Sequence, residues 1–142
     1  MREFRPGTAV LTTLTAVLWL LPMLASAAGT KGSPDVREVT RTEVLAFSSA
    51  SDAPLLLDVR SAEEFAGGHI AGAVHIPHAE IRARFAELGQ PPREVVVYCR
   101  SGRRAGIAAE VLVESGFTVG HLTGDMLGWE EAGLPVTSAV RP

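Results

Sequence analysis

One thiol in this sequence stands where chemistry is most readily expected. Cys99, the only cysteine among 142 residues, directly follows the strand-forming residues 95–98, "VVVY". Three arginines, Arg100, Arg103 and Arg104, come within the next five residues. Guanidinium groups beside a thiol favour its charged form, which is the nucleophile. We therefore interpret Cys99 as a catalytic nucleophile.

The residues after Cys99 predict a loop that binds anions. Gly102 permits a tight bend in which successive N–H groups point inward, and the first N–H groups of the helix that follows lack partners within it. The candidate substrate-binding residues are Arg100, Ser101, Gly102, Arg103 and Arg104. Among them, Arg100 and Arg104 are favoured for contact with an anionic substrate. The alternative, a structural core cysteine beside surface arginines, is disfavoured because Cys99 lies one step past the apolar strand.

Alternating strand-like and helical segments must position this loop. Continuous apolar runs such as "LLLDV" (55–59) are typical of strands buried on both faces of a parallel sheet. Capping boxes at Thr40 and Ser61 predict the starts of two helices, and apolar residues at helical spacing predict another over 78–88. The alternation predicts a single α/β domain with helices on both faces of the sheet. The residues of the helix after Cys99 that we expect to face the core are Ile107, Val111 and Leu112.

The N-terminal segment has the pattern of a secretory signal peptide. Arg2 and Arg5 precede an uncharged run over 6–30, which contains the small residues of "ASA" up to Ala27. Cleavage after Ala27 would release an exported chain, and the expected compartment is a periplasm. The alternative is an uncleaved membrane anchor, since the run is long enough to span a bilayer. The predicted organisation is a signal peptide over 1–27, a linker over 28–35, a domain over 36–136 and a C-terminal tail over 137–142.

Net charge, cysteine count and histidine spacing indicate which classes of partner are disfavoured. The net charge of −3 argues against nucleic acid, whose binding favours a basic surface. A lone cysteine cannot form an internal disulfide, so in an oxidising compartment it is either inert or kept for chemistry. The four histidines match no zinc-ligand spacing and there is no second cysteine. We therefore expect no metal site.

Three stretches resemble the signature blocks of single-domain rhodaneses, in the order of that family. They are "LLLDVRSAEEFAGGHIAGAVHIP" (55–77), "VVVYCRSGRRAG" (95–106) and "LTGDMLGWEEAGLPV" (122–136). The resemblance implies a five-stranded parallel sheet flanked by helices on both faces. It also implies a sulfurtransferase that moves sulfane sulfur from thiosulfate or a polysulfide to a thiol or cyanide through a persulfide on Cys99, without metal or organic cofactor.

The resemblance also bears on residues outside the loop. It implies that Asp58 and Arg60 organise the loops around the site, although Arg60 could instead pair with Glu64 one turn on. Rhodaneses commonly have two glycines where this chain has Gly124 and Asp125. We expect Asp125 either to cap the final helix or to point at the pocket, where its charge would disfavour anionic donors.

Two other functions fit parts of the pattern. Related phosphatases and arsenate reductases have an arginine six residues after the cysteine, whereas here Ala105 occupies that place and Arg104 precedes it. The shorter loop favours a sulfur atom over a tetrahedral oxyanion. The other alternative is a non-catalytic or sulfur-carrier module that acts with a protein partner, such as a protein sulfur acceptor. A carrier would need the same loop and the same Cys99.

Overall fold

A five-stranded parallel sheet forms the centre of the computed structural model, which describes residues 35–138. The strands are β1 (Val36–Val39), β2 (Leu55–Asp58), β3 (Val74–His75), β4 (Glu94–Tyr98) and β5 (Thr118–Leu122). They lie in the order β1-β5-β4-β2-β3, and every neighbouring pair is parallel. The predicted α/β fold class is confirmed. Because β4 is central, the residue that follows it, Cys99, lies in the middle of the carboxyl edge of the sheet.

Helices connect the strands and cover both faces. They are α1 (Arg41–Phe47), α2 (Ala62–Gly67), α3 (Ile81–Arg84), α4 (Arg103–Glu114) and α5 (Asp125–Glu131). Both predicted capping boxes are present: the side chains of Thr40 and Ser61 accept the N–H groups of Glu43 and Glu64. These reciprocal bonds use donors that would otherwise be unpaired at the start of each helix.

Residues 78–88, predicted as one helix, form only one turn of α-helix, α3. That turn lies between two 3₁₀ turns, His78–Glu80 and Phe85–Leu88. Apolar residues three or four positions apart face the same side in both helix types over so short a distance. The spacing therefore identified the buried face without distinguishing the type of helix.

The core consists of two apolar layers, one on each face of the sheet. Along β4, Val95, Val97 and Cys99 face the layer that includes α4, whereas Val96 and Tyr98 face the layer that includes α5. All five side chains are at most 1% exposed. Burial on both faces explains why this strand is a continuous apolar run rather than an alternating one.

The face of α4 that packs on the sheet differs from the predicted one. Ile107 is 46% exposed, so its predicted inward position was wrong, whereas Leu112 is fully buried as expected and Val111 is partly buried. The helix instead buries Ala105, Ala108 and Ala109. Small side chains let a helix axis approach the sheet closely, and the large Ile107 is left on the flank.

The N-terminal predictions fall largely outside the described residues. The proposed signal peptide over 1–27, all but the last residue of the linker over 28–35, and the end of the tail (139–142) are not among them. Within residues 35–138, no helix has the length and apolar character that crossing a membrane requires.

Candidate active site

The sulfur of Cys99 lies just beyond β4, beneath the loop that leads into α4. The residue is 1% exposed, and its Sγ accepts a hydrogen bond from the N–H of Gly102 at 3.1 Å. Gly102 has φ +97°, a left-handed conformation that favours glycine. The bend directs a backbone N–H at the sulfur, where it stabilises negative charge.

The start of α5 holds the backbone of the loop from below. The N–H of Met126 donates to the carbonyl of Cys99 and that of Leu127 to the carbonyl of Arg100, each at 3.1 Å. In the opposite direction, the N–H of Cys99 donates to Oδ1 of Asp125 at 2.8 Å. Three hydrogen bonds from consecutive residues of one helix thus fix two residues of the loop.

The arginines of the loop fall into two groups. Arg104 forms a bidentate ion pair with Glu64, with N–O distances of 2.6 and 2.9 Å. The pKa of Arg104 is raised mainly by these hydrogen bonds and further by its attraction to Cys99. Arg100 and Arg103 are exposed, and neither forms an ion pair with any residue in the described part of the chain.

These contacts bear on the predicted substrate-binding residues. Arg104, one of the two arginines favoured for donor contact, is occupied by a carboxylate of the protein itself. Arg100 and Arg103 lie with the exposed Ser101 at the mouth of the loop. Their roles towards a substrate remain predictions.

Asp58 and Arg60 form a buried pair at the end of β2. The guanidinium of Arg60 donates to both carboxylate oxygens of Asp58 at 2.6–3.0 Å. It also donates to the carbonyl of Gly68 at 2.7 Å and lies over the ring of Tyr98. Arg60 therefore pairs with Asp58 rather than with Glu64, and its contacts connect β2 to the turn that follows α2.

Asp125 does not cap the final helix. Gly124 occupies the N-cap position of α5, and no side chain caps it. The Asp125 side chain instead points under the loop, where it is 4% exposed and its carboxylate lies 3.0 and 3.2 Å from Nε2 of His121. Of the two expectations for Asp125, capping was wrong, and a position beside the Cys99 loop is observed.

His121 is a neighbour of the site that the sequence did not single out. It lies on β5, next to Glu38 of β1 in the sheet. Its hydrogen bond with Asp125 raises its pKa above the ordinary 6.5, against the opposing effect of burial. An Asp four residues after a His was the available signal, but His121 lies in a strand and Asp125 begins the helix after the next turn, so helical spacing gave no reason to pair them.

Two other histidines, His69 and His75, have packing contacts with one aromatic ring. The rings of His69 and His75 stack on Phe65 at centroid distances of 3.7 and 4.6 Å. Among residues 35–138, no group of three histidine, cysteine, aspartate or glutamate side chains is arranged to hold a metal ion.

Comparison with known proteins identifies a matching family and several related proteins. The family model for the rhodanese-like domain matches residues 40–132. A Mycobacterium tuberculosis protein named HTH-type transcriptional regulator Rv0324 is 40% identical over 119 residues, which cover 82% of this chain and 51% of that protein. An Allochromatium vinosum protein named sulfurtransferase is 38% identical over 85 residues, covering 59% and 78%. The chain therefore spans only about half the length of the first of these relatives.

A solved structure shows the same fold. The crystal structure of a protein named probable thiosulfate sulfurtransferase superimposes with a TM-score of 0.60 at 36% identity. The match covers 70% of this chain and 46% of that one.

Proposed function

The chain belongs to the rhodanese-like domain family, and we propose that it is a sulfurtransferase that carries sulfane sulfur as a persulfide on Cys99. The observation that carries the proposal is the N–H of Gly102 directed at the sulfur of Cys99 at 3.1 Å. An N–H in this position stabilises charge on the nucleophile, and the same loop can stabilise charge on a persulfide. The relative named sulfurtransferase supports the same class of reaction.

In the first half of the reaction, the Cys99 thiolate attacks the outer sulfur of thiosulfate. A sulfur–sulfur bond forms to Cys99 while the bond between the two sulfurs of thiosulfate breaks, and its electron pair leaves with sulfite. The outer sulfur keeps its negative charge as the terminal atom of the persulfide, and the charge of the thiolate leaves with sulfite. A polysulfide reacts in the same way, with a shorter polysulfide as the leaving group.

In the second half, an acceptor removes the terminal sulfur. Cyanide or a thiolate attacks that sulfur, the persulfide bond breaks, and its electron pair returns to Cys99 as the thiolate. The products are thiocyanate or a new persulfide on the acceptor. The two steps form a covalent route in which the enzyme returns to its starting state.

The exposed cations at the mouth of the loop favour an anionic donor. Arg100 and Arg103 are not paired with carboxylates in the described part of the protein, so they can attract thiosulfate or a polysulfide. Arg104, the loop arginine next to the sixth position after Cys99, is held by Glu64 and is not free to clamp a phosphate or arsenate. This contact, together with Ala105 at the sixth position, favours sulfur transfer over oxyanion chemistry.

A sulfur-carrier role remains the second candidate. Because Cys99 is only 1% exposed, small donors reach the sulfur more easily than a bulky group does. A protein acceptor would have to contact the loop mouth at Arg100 and Arg103. Slow turnover with thiosulfate but fast exchange with such a partner would favour the carrier role.

Export of the protein is a further part of the proposal and rests on the sequence alone. The uncharged run over 6–30 and the small residues before position 28 support removal of residues 1–27. The mass of the protein recovered from the periplasm of an expressing bacterium tests this. A mass corresponding to a start at Ala28 is expected, and an intact chain in the membrane fraction would favour the anchor.

The mass of the purified protein before and after thiosulfate tests sulfur transfer, with Cys99→Ser as the control. We expect a gain of one sulfur atom that is absent in the variant and reversed by cyanide. No gain from thiosulfate or from polysulfide would overturn the proposal.

A further inference from the structure

The buried carboxylate of Asp125 lies directly beneath the Cys99 loop. The backbone of this residue has a conformation that is unfavourable for residues other than glycine. Asp125 has φ +52°, which makes it the only non-glycine residue of the described chain with positive φ. Its side chain is 4% exposed. Non-glycine residues are uncommon in this region, although aspartate tolerates it better than most. The contacts of the side chain must therefore offset an unfavourable backbone.

Those contacts join Asp125 to the nucleophile. Its Oδ1 accepts the N–H of Cys99 at 2.8 Å. Within one cysteine, N and Sγ are three bonds apart, so this carboxylate oxygen is at most about 7 Å from the sulfur. The same bond occupies the Cys99 N–H, which is then unavailable to a donor or a persulfide.

His121 also contacts the Asp125 carboxylate, and the Cys99 loop packs against these two side chains. Nε2 of His121 is 3.0 Å from Oδ2 and 3.2 Å from Oδ1 of Asp125. A Cβ on Gly102 would lie 3.2 Å from Oδ2 of Asp125 and 3.4 Å from Cε1 of His121. The bend that directs an N–H at the sulfur thus rests on the His121–Asp125 pair.

The charge of this pair depends on the protonation of His121. With His121 protonated the pair is neutral, and when the proton is lost one negative charge remains beneath the loop. The hydrogen bond with Asp125 raises the pKa of His121, and the nearby Glu38 of β1 acts in the same direction. Arg41 of α1 also faces this region, where it donates to the carbonyl of Gly128 in α5.

We propose that Asp125, held by His121, is a positioning and specificity-determining residue: it fixes the backbone of Cys99 and discriminates against negatively charged reactants at the sulfur. Its effect on sulfur donors rests on the proposed function, whereas its effect on other reagents that attack Cys99 does not. Coulomb's law makes the effect proportional to the charge of the reactant. Doubly charged thiosulfate is therefore disfavoured more than a singly charged thiosulfonate.

The test compares two reagents that alkylate the same thiolate and differ in charge. Iodoacetate carries one negative charge and iodoacetamide none, so the ratio of their rates cancels any change in the amount of thiolate. Asp125→Asn keeps an oxygen that can accept the Cys99 N–H but removes the charge. At a pH above the titration of His121, we expect it to raise the iodoacetate-to-iodoacetamide ratio about threefold.

A second variant should act in the opposite direction. In His121→Gln the carboxylate lacks its cationic partner at every pH. Below the titration of His121, we expect the ratio to fall about threefold relative to the wild type. In the wild type the ratio should fall as the pH rises through the raised pKa of His121, and this step should be absent from His121→Gln.

The matched control is Glu114→Gln, which removes one negative charge at the far end of α4. It should leave the ratio unchanged. A purely structural disturbance by Asp125→Asn would change the rates of both reagents equally, and that result would overturn the proposal. A shift of the ratio by Glu114→Gln as large as that by Asp125→Asn would also overturn it.

The same variants are then compared on thiosulfate and methanethiosulfonate by the rate of sulfur gain. The increase expected for Asp125→Asn is about tenfold with the dianion and about threefold with the monoanion. Equal increases would contradict the discrimination between donors. Absence of sulfur gain in the wild type would overturn the proposed function, and the alkylation ratio would still decide the role of Asp125.

Discussion

Gly102→Ala is the substitution that most directly tests the loop geometry. The added methyl group would lie 3.2 Å from Oδ2 of Asp125 and 3.4 Å from Cε1 of His121. The first distance is shorter than ordinary van der Waals contact and the second is at its lower limit, and both neighbours are held by their hydrogen bond to each other. In addition, the backbone at this position has φ +97°, where a side chain is strained.

The size of the effect follows from these two penalties. A left-handed backbone costs about 1–2 kcal/mol for a residue with a Cβ, and the contact with a held carboxylate adds to it. A loss of about 2 kcal/mol would lower the melting temperature by roughly 10 °C in a domain of this size. Relief of the contact must move the Gly102 N–H away from the sulfur. Loss of a directed donor at a reacting anion slows reactions about 100-fold or more, and we expect persulfide formation to slow by about that much.

The matched control is Gly106→Ala, four residues further along the same helix. A Cβ at Gly106 would meet nothing within 4 Å, and alanine in a helix interior is favoured over glycine by roughly 0.5–1 kcal/mol. This variant should be slightly more stable and should react at the wild-type rate. Thermal unfolding and the rate of sulfur gain measured by mass spectrometry supply both readouts. A Gly102→Ala protein with wild-type stability and rate would refute the reasoning.

Three further predictions follow from contacts near the loop. Glu64→Gln should destabilise the fold by about 1 kcal/mol at neutral pH. The hydrogen bonds from Arg104 lower the pKa of Glu64 from 4.5 to about 2. The difference in melting temperature between this variant and the wild type should therefore narrow as the pH falls from 6 to 3, and a constant difference would contradict the prediction. Arg103→Gln should slow the reaction with thiosulfate about threefold at low salt, and less at high salt, whereas Arg82→Gln on α3 should not; equal effects would exclude steering by the loop. Tyr98→Phe removes the hydroxyl that accepts a turn N–H and should cost about 1–2 kcal/mol in urea unfolding; a change near zero would show that the N–H finds another partner.

Features encoded by neighbouring residues could be predicted from the sequence. The apolar runs of β2 and β4 and the capping boxes at Thr40 and Ser61 depend on local chemistry, and the structure contains all of them. The inward face of α4 could not be predicted in the same way. Several faces of that helix carry apolar residues, and only packing against the sheet decided that alanines face inward and Ile107 does not.

Contacts between distant residues were the main omission. Glu64 completes the capping box that begins at Ser61, and its Oε2 accepts the N–H of Ser61 at 3.0 Å. The same carboxylate also binds Arg104, forty residues away. No local pattern encodes this second contact, which exists because β2 and β4 are neighbours in the sheet and bring the helices that follow them together.

Asp125 shows most clearly how backbone conformation decides chemistry. A capping aspartate has an extended backbone and directs its oxygen at its own helix, whereas positive φ at Asp125 turns the side chain under the neighbouring loop. The residue then places a negative charge below a sulfur whose entrance is lined by Arg100 and Arg103. Cations at the mouth accelerate the approach of an anion, while the carboxylate beneath opposes its charge at the point of reaction. The balance between these two effects depends on the protonation of His121. Discrimination among anionic donors therefore depends on the buried His121–Asp125 pair as well as on the arginines at the entrance.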